Sequence, residues 1–194
     1  MFWQAWVYLG VSFTAGLTLI AYLRYTDPAL LKRRLRGPGA EQETSQKLIQ
    51  LAAAIVVTGT IVLASLDRRF EWSHAPLSAT PVGFALLVAS YLVIFLAFRA
   101  NTFAGANIGV EPGQHVVSTG PYAVVRHPYY AGLLLSVLAT PLALGSWWGL
   151  LLLVPMAFVL AARVQYEERF LTQNLPGYEE YCRRVRYRLV PWAW

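Results

Sequence analysis

Charge along this chain comes in blocks. No Asp, Glu, Lys or Arg occurs in residues 1–23, in 48–66, in 81–98 or in 127–162. About 20 apolar residues in a helix cross a hydrocarbon core of ~30 Å, so the first three runs are each predicted to span a membrane once. A secretory signal would carry a basic segment ahead of its apolar run. The first charge here is Arg24, behind the run, and 1–23 is therefore expected to be a spanning helix. The fourth run is too long for one crossing, since a helix over 127–162 would extend about 54 Å. Its middle, "TPLALGSWWG", holds Pro141, Gly145, Gly149 and the interface-loving pair Trp147–Trp148. The pattern predicts an all-α polytopic membrane helix bundle of five transmembrane helices. The last two, 128–143 and 146–168, are expected to form a helical hairpin, with Pro155 kinking its second arm.

The charges fix an expected topology. With five spans and the N-terminus outside, fourteen of the sixteen Lys and Arg residues face the cytosol and only Arg68 and Arg69 face out, as the positive-inside rule favours. The C-terminus and the 99–128 loop then share the cytosolic side. Hydrophobic residues make up 57% of the chain and charged residues 13%, about half the charged share of a soluble domain. The net charge of +6 is thus read as topology and not as a nucleic-acid footprint. The lone Cys182 excludes an intrachain disulfide and a multi-cysteine metal site. His115 and His127, without acidic or thiol neighbours, do not suggest a metal centre.

Three clusters fall on the expected cytosolic edge: "GQHVVSTGPYAVVRHPYY" (113–130), "ARVQYEERFL" (162–171) and "PGYEEYCRRVRYRLVP" (176–191). Arg163 and Glu167 are four apart and share a helical face. Ionisable groups so near an apolar segment usually face an aqueous cavity or the protein interior. A snorkelling arginine beside a solvated acidic turn is the plainer alternative. The "RHPYY" segment alone also suits an interfacial belt with Pro128 opening a helix.

Taken together, "GPYAVVRHPYYAG", the uncharged stretch after it, "RVQYEERFL" and "YEEYCRRV" resemble the isoprenylcysteine carboxyl methyltransferase family. The resemblance covers roughly residues 100–191, and membrane methyltransferases acting on phospholipid amines share parts of the pattern. It implies that 99–194 is a catalytic half joined to three N-terminal spans (1–98) in one integrated membrane domain. It also implies S-adenosylmethionine as methyl donor. The donor would contact Gln114, His115, Val116 and Val117, then Tyr122, then His127, Pro128, Tyr129 and Tyr130, and finally Glu167. Arg126 or His127 would take the donor's carboxylate, and Arg163 would lie nearest a substrate carboxylate, Arg163 and Glu167 being the catalytic pair. The implied partners are the bilayer and a prenylated, lipophilic substrate, with no nucleic acid and no metal.

The chemistry is compatible with those residue types. Tyrosine faces attract the donor's cationic groups. Glu167 can offset positive charge or accept ribose hydroxyls. A carboxylate acceptor is ionised at neutral pH and needs no base, only alignment and desolvation; an amine acceptor would need one, and His127 or Glu168 would be the candidates. A non-enzymatic scaffold or a transporter is the competing class, but a transporter would place its polar groups at mid-membrane, not at one edge.

Overall fold

The computed structural model describes residues 2–36, 41 and 43–194; part of the basic loop, 37–40 and 42, lies outside them. The described chain is all-helical: α1 (Trp3–Thr26), α2 (Pro28–Leu35), α3 (Thr44–Phe70), α4 (Ala79–Ala100), α5 (Pro128–Leu144), α6 (Leu153–Asn174) and α7 (Tyr178–Arg184). Its outer surface is apolar. Phe13, Leu17 and Ile20 on α1 and Phe158 on α6 stay exposed, which suits hydrocarbon and not water. The protein is a multi-pass integral membrane protein.

The expected count of five spans is corrected to four candidate spans among the described residues. Trp3–Thr26, Thr44–Phe70, Ala79–Ala100 and Trp148–Asn174 have the length and hydropathy to cross a bilayer. α5 is apolar but has only 17 residues, about 26 Å of helix. The expected terminal hairpin is not formed either. α5 packs chiefly along α4, not along α6, because two glycines let the backbones touch. A Cβ on Gly83 would fall 2.1 Å from the Ala143 nitrogen, and one on Gly132 would fall 2.6 Å from Ile94 Cγ1 and 3.0 Å from the Ser90 carbonyl. α6 is entered through a 3₁₀ turn, Trp148–Leu152, that packs against α3. Pro155 lies in the first turn of α6, where its missing N–H leaves no interior bond broken. Pro141 is carried inside α5, which ends at Gly145 in the left-handed region (φ 74°).

The junction between α5 and α6 is pinned to α3 by one carboxylate. Asp67 is fully buried and accepts from the Ser73 amide at 2.7 Å, the Ser73 and Ser146 hydroxyls and the Trp148 amide. At the opposite end of the bundle, α2 closes on the 101–109 segment. Arg33 donates to the Thr102 carbonyl, and Arg34 Nη1 donates to the Gly105 carbonyl at 2.9 Å. The three clusters of the sequence gather at this second end.

Candidate active site

A cavity of about 830 Å³, its open mouth included, lies at that end. Its loop wall carries Gln114, His115, Val116 and Val117. Tyr122, Arg126, His127, Tyr129 and Tyr130 form a second wall, and Arg163 and Glu167 a third. Pro128 is buried as the first residue of α5 and does not face the cavity. Asn101, Asn107, Tyr178 and Tyr181 line it too. The tyrosine pair came from the third sequence cluster; nothing local marked the asparagines.

The local fold holds this wall from behind. The Arg126 and His127 amides donate to the Tyr187 and Arg188 carbonyls at 2.9 and 3.0 Å, so the tail straps the turn that starts α5. Tyr181, on α7, donates its hydroxyl to the Tyr122 carbonyl at 2.8 Å. Burial pushes the Tyr122 phenol up to about 12, and burial also raises Tyr178 and Tyr181 above their usual range. All three are neutral at physiological pH.

Two adjacent carboxylates divide the work, because successive helical residues point about 100° apart. Glu167 faces the cavity and accepts from the Tyr130 hydroxyl at 2.8 Å. Glu168 turns under the wall. Its oxygens lie 3.1 Å from Arg126 Nε, 3.3 Å from His127 Nε2 and 2.9 Å from Arg188 Nε. The Arg126 contact is ionic only, without the alignment of a hydrogen bond.

Arg163 and Glu167 are linked through Tyr130. Arg163 Nε donates to the Tyr130 oxygen at 3.3 Å while that hydroxyl donates to Glu167. The rest of the Arg163 guanidinium is tied inward: Nη1 reaches Gln46 Oε1 at 2.8 Å and Glu41 Oε2 at 3.2 Å, and Nη2 reaches the Ala106 carbonyl at 3.1 Å. Glu41 and Gln46 are nearly inaccessible. Sequence reasoning missed both, because they reach the site only through tertiary contact. Arg163, Tyr129 and Tyr130 also line a second cavity of about 780 Å³, mouth included, between α3, α5 and α6. Ile49, Ala53, Leu133, Val159 and Leu160 give it an apolar wall. Among the described residues, no group of three or more His, Cys, Asp or Glu side chains is arranged to hold a metal ion.

A tyrosine-walled polar cavity thus backs onto an apolar one within the membrane bundle. Residues 79–176, half of the chain, match the family model described as phospholipid methyltransferase. The chain belongs to this phospholipid methyltransferase family. It is also similar to three curated proteins. One is the nickel-cobalt-cadmium resistance protein NccN of Alcaligenes xylosoxydans xylosoxydans, with 26% identity over 67% of this chain and 59% of that protein. Another is the cobalt-zinc-cadmium resistance protein CzcN of Cupriavidus metallidurans, with 32% identity over 66% and 58%. The third is the mouse Delta(14)-sterol reductase TM7SF2, with 35% identity over 67% and 35%. The chain thus spans between a third and three fifths of the length of these relatives.

Proposed function

We propose that this chain transfers a methyl group from S-adenosylmethionine to a lipophilic substrate, a phospholipid or another small lipid. The observation that carries the reading is the shared partition: Tyr129, Tyr130 and Arg163 face both the polar cavity and the apolar one. The family match supports the chemistry, and a relative named for a sterol substrate supports the lipid character.

The donor suits the polar cavity on two counts. The Tyr178 hydroxyl and Asn107 Oδ1 are buried without a hydrogen-bond partner among the described residues, and both line the cavity, so a polar ligand would satisfy them. The tyrosine faces and Glu167 favour a cationic one. Bound there, S-adenosylmethionine supplies an electrophilic methyl on a positively charged sulfur, whose bond breaks with both electrons leaving on that sulfur. His127, Tyr129 and Tyr130 would hold the donor on the partition side, and Gln114, His115, Val116 and Val117 would close the loop side. By the positive-inside rule the basic end of the bundle would face the cytosol.

With an amine acceptor, one proton must leave nitrogen before attack. That proton would pass through the Tyr130 hydroxyl, which would give its own proton to the Glu167 carboxylate as it takes the one from nitrogen. The second reading, a prenylcysteine carboxylate, needs no base, although the Arg163 guanidinium at the partition is already held by Glu41, Gln46 and the Ala106 carbonyl. Calorimetry with S-adenosylmethionine, together with labelled-methyl transfer to phosphatidylethanolamine and to N-acetyl-S-farnesylcysteine, tests both. Glu167→Gln is expected to lower donor affinity and turnover by about tenfold or more with the unfolding midpoint unchanged. A wild-type protein that binds no donor at millimolar concentration overturns the reading.

A further inference from the structure

The apolar cavity has a polar corner of one sign, and that corner bears on what can enter. Resting on the function proposed above, we propose that Arg34 reads an oxyanion on the headgroup of the lipid substrate, a carboxylate or a phosphate, and so determines specificity. Arg34 comes from the interfacial helix α2, which sequence reasoning treated only as part of a basic loop. Its guanidinium carbon sits 4.7 Å from the Phe98 ring centroid and 4.5 Å from that of Tyr129. The two rings and the Gly105 carbonyl hold it in place. Its remaining N–H groups have no protein acceptor among the described residues.

The surroundings select the charge. Among the described residues, Arg34, Gln50 and Arg163 are the polar and charged side chains of this cavity apart from the two tyrosine hydroxyls, and no carboxylate lines it. The nearby Glu41 is already held by Arg163 and Gln50. A free ammonium would find no counter-ion on this wall, whereas an oxyanion would meet a preoriented guanidinium, the side chain best suited to carboxylate and phosphate. The apolar wall next to it takes the chain. Both candidate substrates carry such an oxyanion: the carboxylate of a prenylcysteine, or the phosphate beside the amine of a phospholipid.

The test measures binding, not turnover. Purified wild-type protein, Arg34→Gln and Arg34→Lys are titrated in detergent with two matched pairs: N-acetyl-S-farnesylcysteine against its methyl ester, and short-chain phosphatidylethanolamine against the corresponding diacylglycerol. In wild type the oxyanion-bearing member of at least one pair is expected to bind on the order of tenfold tighter or more. Arg34→Gln should abolish that preference and Arg34→Lys should restore part of it. A preference confined to the farnesyl pair identifies a carboxylate; one confined to the phospholipid pair identifies a phosphate. Equal binding within both pairs in wild type, or a preference that survives Arg34→Gln, overturns the proposal. A preference that behaves as expected in a protein that transfers no methyl group would count against the proposed function and leave the role of Arg34 standing.

Discussion

Replacing Glu168 with glutamine removes one charge and almost no volume, yet three side chains converge on that charge. Arg126 and His127 reach it from the turn before α5, and Arg188 from the tail. Glu168 itself is 8% exposed. Removing one partner of a buried ionic cluster costs roughly 3–5 kcal/mol, since the groups left behind stay desolvated and unmatched. Here the lower end applies, because the Arg188 side chain is 34% exposed and solvent screens its share. About 3 kcal/mol in a chain of 194 residues corresponds to a fall in unfolding midpoint on the order of 6–12 °C. Differential scanning fluorimetry in one detergent measures it. Because Glu168 orients His127 from behind, donor affinity should fall with it, by about tenfold or more. Glu167→Gln, one residue away, should leave the midpoint within about 2 °C, in line with a half-exposed site. A Glu168→Gln protein that melts and binds donor like wild type would refute the division of labour between the two carboxylates.

Two further outcomes follow from geometry and burial. Gly83→Ala drives a Cβ into the α5 backbone, which cannot yield, whereas Gly132→Ala meets mainly the movable Ile94 side chain; Gly132→Ala should cost about 1–3 kcal/mol and Gly83→Ala more, read as midpoint and as yield of folded protein. Tyr122 has its phenol raised to about 12 against ~10 in an unfolded chain, so its contribution to stability is present below pH ~10 and lost between ~10 and ~12. The wild-type-minus-Tyr122→Phe phenolate absorbance should therefore develop near pH 12, and a step near 10 would show the side chain to be solvated.

Uncharged runs foretell spans well where each run holds one helix, as α1, α3 and α4 do. They fail over 127–162, where one run holds α5, a 3₁₀ turn and the start of α6. Absence of charge marks hydrocarbon compatibility but not which neighbour a helix chooses. That choice was made by Gly83 and Gly132, whose missing side chains draw α5 onto α4. The site was legible where its residues cluster locally, as in "VVRHPYY" and "RVQYEERF". It was opaque where it depends on distant partners: Glu41 and Gln46 lie more than a hundred residues from Arg163. Glu168 is named from the sequence only as a candidate base for an amine, whereas the structure turns it beneath the wall onto Arg126, His127 and Arg188.

The strap across the turn before α5 has a bearing on biogenesis. Arg126 and His127 wait for carbonyls made some sixty residues later, so the cavity wall takes its shape only after α5, α6 and α7 have left the ribosome and met. Ligand-binding competence would then arise late in synthesis, after membrane insertion, and a nascent chain halted before residue 187 would be helical and embedded yet blind to its ligand.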